Sequence, residues 1–196
     1  PTFVSKNRAE AIEKLIKESH DVAILDDGFQ DFSINKNFSL VCFNSNQWIG
    51  NGFLLPSGPL REPLSALKRA DCIVINGKKN IEFENKILKE KDTKIFYSKY
   101  IPENIDGFKS NKIIAFAGIG NPINFIDLLN EYNLNIIDTI SFPDHYTYKA
   151  NDIELLKMKA NKLNATLVTT EKDYIRLDNS LKTNINYLKV KLEIEN

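Results

Sequence analysis

A chain of 196 residues with 42% hydrophobic content can bury one generous core or two small domains. Its 26 basic and 26 acidic residues cancel, so no long-range field attracts a polyanion; no basic stripe interleaved with aromatics appears, and nucleic acid is not an expected partner. No apolar stretch approaches the roughly 20 residues needed to span a bilayer, and no signal-peptide pattern opens the chain. Cys42 and Cys72 each lie inside an apolar run, which suits reduced core residues better than a disulfide or a metal framework.

From Arg8 to Ser19, Ala11, Ile12, Leu15 and Ile16 recur at helical spacing with Lys and Glu on the other face, predicting an amphipathic helix. It feeds Val22 to Gln30, Val-Ala-Ile-Leu-Asp-Asp-Gly-Phe-Gln. These read as a short buried parallel strand ending in paired carboxylates, the way a P-loop NTPase presents its magnesium-binding acid. Ligands of open α/β sheets bind outside the carboxyl ends of the strands, where Asp26 and Asp27 can hold Mg²⁺ beside nucleotide phosphates. The same residues also suit a plain strand closing in an Asp-Asp-Gly turn.

Phe38 to Phe43 and Asp71 to Ile75 are two further expected strands, separated by a Gly- and Pro-rich loop (residues 50–59) and a helix from Glu62 to Ala70. Between Asn76 and Asn111 the chain turns Lys-, Glu- and Asn-rich, with a weak strand near Ile95 to Tyr97, and the domain boundary is placed at about Asn76. A second α/β unit follows. Ile113 to Ala117 is a strand, Asn121-Pro122 an N-cap and first helical residue, and Asn135 to Phe142 the next strand. Asn151 to Glu154 has the pattern of a capping box for a helix facing Ile153, Leu156, Ala160 and Leu163 inward. Thr166 to Thr170 and Asn186 to Ile194 close the set of strands. The expected architecture is therefore α/β: part of a P-loop NTPase-like parallel sheet with helices over residues 1–76, rejoined by 181–196, plus a second, smaller α/β domain over 77–180.

Among candidate site residues, Arg61 sits in a loop stiffened by Pro56, Pro59 and Pro63, where a guanidinium suits bidentate capture of phosphate; it can equally be a solvent-facing arginine at a helix start. Glu62 reads as a first-turn helix acid. His145 lies between a proline-containing turn and aromatic residues, either as a base for a hydroxyl proton or as a loop histidine packed on Tyr146. Asp144 is adjacent but points away if the backbone is extended. His20 reads as a surface residue after a helix. Gly118-Ile119-Gly120 lacks the third glycine of a dinucleotide fingerprint, since Ile123 occupies its place. Thr169 to Asp173 can line a cleft or start a helix.

Five segments, Leu25 to Gln30, Gly52 to Pro63, Phe116 to Pro122, Phe142 to Tyr146 and Val168 to Asp173, taken in order and spacing, resemble the tetraacyldisaccharide 4'-kinase family over essentially the whole chain. Asp-Asp-Gly-Phe-Gln and Gly-Pro-Leu-Arg-Glu-Pro are the most specific parts. The resemblance implies a two-domain P-loop enzyme that moves the γ-phosphate of ATP, with Mg²⁺, to the 4'-hydroxyl of an acylated glucosamine disaccharide 1-phosphate in lipid A biosynthesis. It implies peripheral work at the cytoplasmic face of the bacterial inner membrane, through a region outside this chain. By the same resemblance Asp26 and Asp27 serve the metal, Gln30 and Arg61 contact phosphate or substrate, and Arg8 matches a basic position at the start of this region. His145 is placed in an acid–histidine dyad whose carboxylate belongs to sequence preceding Pro1. Asp31 stands where the family commonly has a histidine.

The chain contains no Gly-x-x-x-x-Gly-Lys-[Ser/Thr] loop, so an incomplete part of the enzyme is expected, one that exposes an apolar edge and transfers no phosphate alone. Two other readings stand beside it: a non-catalytic remnant of a truncated gene, and a P-loop-like nucleotide-binding regulatory module that has no need of Arg61 or His145.

Overall fold

The computed structural model describes residues 1–90 and 92–195. The chain forms two compact units, Pro1–Lys99 with Ile194–Asn196, and Tyr100–Glu193. The division falls later than residue 76 because of strand pairing. The Lys- and Asn-rich stretch is the crossover between two parallel strands, not a linker.

In the first unit, helix α1 (Arg8–Lys17) is capped by Asn7, whose side-chain oxygen accepts from Ala9 N at 3.0 Å. No residue of α1 is buried, and Ile16 is exposed. Strands β1 (Leu40–Asn44), β2 (Cys72–Asn76) and β3 (Lys94–Pro102) run parallel, in a sheet ordered β1-β2-β3-β8, where β8 is Val190–Glu195. Central β2 buries Cys72 to Ile75 on both faces, as a strand between parallel neighbours must. Helix α2 (Ile81–Leu88), which the sequence pattern did not disclose, is capped by Asn80 and lays Phe83 and Ile87 on Ile73 and Ile75. The Phe43 and Trp48 rings close on Phe83 at 5.2 and 4.2 Å.

Four expectations for this unit change. Residues 22–25 are not a strand: they carry no ladder, and Val22 and Ile24 are exposed. A lone extended segment gains no sheet hydrogen bonds to offset its ordering entropy. The segment from Glu62 to Ala70 is a short 3₁₀ helix, Leu64–Arg69, because Pro63 supplies no N–H and enters it extended. The Ile95 to Tyr97 strand is the amino-terminal part of a nine-residue β3. Cys72 is buried, but Cys42 is exposed, since β1 ends the sheet order and turns Cys42 to its open face.

In the second unit, strands β4 (Lys112–Ala117), β5 (Asn135–Ser141), β6 (Thr166–Thr170) and β7 (Ile185–Leu188) form a parallel sheet ordered β5-β4-β6-β7. Alternate β4 side chains face opposite layers. Ile113, Ala115 and Ala117 pack with Phe125 and Leu129 of α3 (Pro122–Glu131). Ile114 and Phe116 pack with Ile153, Leu156 and Ala160 of α4 (Ala150–Leu163). Helices on both faces mean that the chain leaves β4 in one direction and returns past it to β6, so the strand order reverses between β4 and β6. Helix α5 (Glu171–Arg176) follows β6 directly, with Thr170 as its cap accepting from Asp173 N at 3.1 Å.

Here too the ends of elements differ from expectation. Pro122 takes the first helical position, but the Asn121 side chain makes no capping bond. Helix α4 starts one residue before Asn151: Asp152, not Glu154, supplies the acid, accepting from Lys149 N at 2.9 Å. The final strand is two, β7 and β8, in different sheets, with Leu188 buried in the second unit's core.

Candidate functional site

The first unit gathers its candidate residues on an acidic turn. Asp27 adopts φ 51°, the left-handed region where Asp is tolerated, and Gly28 follows fully enclosed. A Cβ on Gly28 would lie 2.8 Å from Leu25 Cβ, so the turn accepts no side chain there. Arg8, at the start of α1, holds the turn from outside. Its Nη2 donates to the carbonyls of Asp26 at 3.1 Å and Asp27 at 3.3 Å, and its Nη1 donates to Asp31 Oδ2 at 3.0 Å. Asp31 Oδ1 also accepts from Ser33 Oγ at 2.6 Å and Ser33 N at 2.9 Å. These Ser33 bonds first, and Arg8 after them, hold the Asp31 carboxyl down at about 2. Asp31 is thus an ionised anchor for Arg8.

Arg61 faces the same turn. Its Nη1 donates to Asp27 Oδ2 at 2.5 Å, and the Asp27 carboxylate keeps the guanidinium firmly protonated. Both side chains are some 60% exposed (59% and 60%), so the pair contributes little to stability; it presets position. The loop carrying Arg61 is braced by Asn51, which donates to Ser57 O at 2.8 Å and accepts from Phe53 N at 3.1 Å. Glu62 is not a first-turn helix acid. Both its oxygens accept from Arg69 Nη2, at 2.9 and 2.7 Å, while the Arg69 guanidinium lies over Phe29 and Phe32 at 4.6 and 4.9 Å. Gln30 sits half-buried just past the acidic turn. Asp26, Asp27, Arg61, Arg8 and Gln30 therefore come together in one unit.

Among the described residues no group of three or more His, Cys, Asp or Glu side chains is arranged to hold a metal. Two exposed carboxylates are nonetheless of the oxygen-donor type that Mg²⁺ accepts when water and phosphates complete its shell. Asp26 and Asp27 fit that ion in chemistry, and Asp27 is already paired with a cation, the Arg61 guanidinium.

His145 belongs to the second unit and lies at the carboxyl ends of β4, β5 and β6, at the reversal of strand order. The Pro143 to His145 loop is not extended, because His145 takes φ 57°. As a result Asp144 does not point away: its Oδ2 is 3.8 Å from His145 Nε2 and its Oδ1 accepts from His145 N at 2.9 Å. Behind the ring stands a group that the sequence reading missed. Arg176 Nη2 donates to His145 Nδ1 at 2.9 Å, and Arg176 Nη1 donates to Gly118 O at 3.3 Å. Asp173, fully buried, accepts from Gly118 N at 3.0 Å and Thr170 Oγ1 at 2.8 Å, and its Oδ1 is 3.7 Å from Arg176 Nη1. Beside it, burial and the Asp173 charge push the Tyr148 hydroxyl well above the ordinary phenol range. Gly118 must stay bare, since a Cβ would meet Tyr148 Oη at 2.9 Å and Pro143 O at 3.3 Å. The available sequence signal was Asp173 and Arg176 at i,i+3 on a helix opening just after a buried strand.

Comparison with known proteins gives a consistent picture. The family model described as tetraacyldisaccharide-1-P 4'-kinase matches residues 1–196. A tetraacyldisaccharide 4'-kinase of Pelagibacter ubique is 41% identical over 98% of this chain and 62% of its own length. One from Rickettsia felis is 40% identical over 99% of this chain and 59% of its own. The crystal structure of LpxK from Aquifex aeolicus in complex with ATP is similar with a TM-score of 0.63 and 25% identity, over 94% of this chain and 56% of that one. The chain thus spans about six tenths of the length of these curated relatives.

Proposed function

The chain belongs to the tetraacyldisaccharide-1-P 4'-kinase family, and from that premise we propose that it serves transfer of the γ-phosphate of ATP to the 4'-hydroxyl of a tetraacylated glucosamine disaccharide 1-phosphate. The observation that carries this reading is the acidic turn, where Asp26 and Asp27 are held by Arg8 through their backbone carbonyls while Arg61 waits on the Asp27 carboxylate. Phosphoryl transfer asks a protein chiefly for positioning and charge stabilisation.

Each residue has a part in that task. Asp26 and Asp27 would hold Mg²⁺, which would supply neutralisation of the charge developing on the transferring phosphate. Arg8 bonds neither carboxylate, because it grips the main chain and Asp31 instead. Arg61, released from Asp27, offers a planar fork of donors to a phosphate, with Gln30 as a neighbouring polar contact. His145 contacts the acceptor hydroxyl. The first unit would be the carboxyl-terminal part of the kinase core and the second the smaller domain. By family membership the work would lie at the cytoplasmic face of the bacterial inner membrane, through a region outside this chain. Among the described residues no helix is long and apolar enough to cross a membrane.

The test is a joined protein in which this chain replaces the corresponding region of the Rickettsia felis relative, assayed with labelled ATP and the tetraacyldisaccharide 1-phosphate. Transfer that disappears in Asp27→Ala is the expected result, with no transfer by the 196-residue chain alone. A joined protein that binds ATP but is indifferent to Arg61→Ala and His145→Ala would favour a nucleotide-binding module instead.

A further inference from the structure

We propose that Arg176, braced by Asp173, is a positioning residue that holds His145 as the neutral tautomer protonated at Nε2, so that His145 meets an acceptor oxygen as a hydrogen-bond donor. The inference rests on the reading that His145 faces the acceptor, but the tautomer itself does not depend on any reaction.

A guanidinium carries five N–H donors, no acceptor, and does not deprotonate in proteins. The 2.9 Å contact between Arg176 Nη2 and His145 Nδ1 is therefore a bond only if Nδ1 offers its lone pair. The single proton of the neutral ring must then sit on Nε2. Nε2 faces outward on a side chain that is 71% exposed, with the Asp144 carboxylate at 3.8 Å as its nearest ionic neighbour. Its outward character is that of a donor. A ring in this state cannot take a proton at Nδ1 while Arg176 occupies it, and has no lone pair at Nε2 with which to act as base.

The arrangement is held from behind at every point. Arg176 is only 25% exposed, and its other arm is fixed by Gly118 O and approached by Asp173 Oδ1. Gly118 O also accepts from His145 N at 3.2 Å, so guanidinium and loop share one anchor. Asp173 is locked in turn by Gly118 N and Thr170 Oγ1. The left-handed turn at His145 aims the ring back at α5. Supporting shells of this kind fix ring orientation and tautomer of reacting histidines.

The experiment is long-range ¹H–¹⁵N correlation on the 196-residue chain labelled at histidine, with His20→Gln assigning the two rings. The wild type is expected to show the Nε2–H form alone for His145. In Arg176→Met both tautomers should appear, and Arg176→Lys should restore part of the wild-type pattern. An Nδ1-protonated ring in the wild type overturns the proposal without recourse to any variant, as does a folded Arg176→Met chain whose tautomer is unchanged. Failure of the joined protein to transfer phosphate would count against the proposed reaction and leave this result, read on the chain by itself, untouched.

Discussion

Replacing Asp173 by alanine is the most informative single change to the second unit, because a fully buried carboxylate there organises both a strand end and the His145 loop. The substitution removes the acceptor for Gly118 N at 3.0 Å and for Thr170 Oγ1 at 2.8 Å, and hydrogen bonds to an ionised group contribute about 1.5–3 kcal/mol each. It also strips the partner from Arg176, and breaking a buried ion pair from one side costs about 3–5 kcal/mol. Arg176 is a quarter open to solvent (25%), so these overlapping losses sum to the lower end, about 3 kcal/mol. With a urea dependence of about 1–3 kcal/mol per molar for a small domain, the unfolding midpoint of this unit should fall by about 1–3 M. Amide resonances of Ile113 to Ala117 are the probe of choice, since Trp48 fluorescence reports the first unit. Thr170→Val, which loses one donor to Asp173 and the cap of α5, should cost only about 1–2 kcal/mol. A drop below about 1 kcal/mol for Asp173→Ala would show that the carboxylate does not hold Gly118 in place, and the bracing of Arg176 would fail with it.

Other expected outcomes concern the first unit. Arg61→Ala in the joined protein should lower phosphoryl transfer by about a hundredfold or more, yet shift stability by less than about 1 kcal/mol, since both partners of its ion pair are exposed; activity and urea unfolding measured on one preparation decide it. The Asp31 carboxyl is held at about 2, below the usual 3.8. Its contribution is therefore complete above about 3.8 and lost as pH falls through about 2. Carbon-13 titration of the Asp31 carboxyl should show this low midpoint, and Ser33→Ala should raise it, since the Ser33 hydroxyl is the largest cause. Amides of Val22 to Leu25, which bear no ladder, should exchange with solvent far faster than those of Ile73 to Ile75; slow exchange there would contradict the exposed conformation.

Asp26 and Asp27 were legible as paired carboxylates followed by a turn glycine, and a turn is what forms. The strand before them was not, because four apolar residues become a strand only when a neighbour completes the ladder, and that depends on what lies beside them in space. Asp31 looked like a departure from a family pattern and is an anchor for Arg8, 23 residues away. In the second unit, periodicity disclosed β4, α3, β5, α4 and β6 to within a residue or two, because buried strands and amphipathic helices write their faces into local order.

What the sequence determined by itself was the α/β alternation, the resemblance to a family, and the polar residue types of the candidate site: Asp26, Asp27, Arg61 and His145. The alternation follows from hydrophobic pattern and the resemblance from five short segments in order, both of which run along the chain. What the tertiary structure alone decided was pairing across it: Arg61 on Asp27, Arg69 on Glu62, and Arg176 on His145 with Asp173 behind. Such contacts join residues as many as 58 positions apart, as between Arg176 and Gly118. For Arg176 with His145 and Gly118 the partners are chosen by the second unit's parallel sheet, which brings its carboxyl ends together, and no local preference of the chain encodes that meeting.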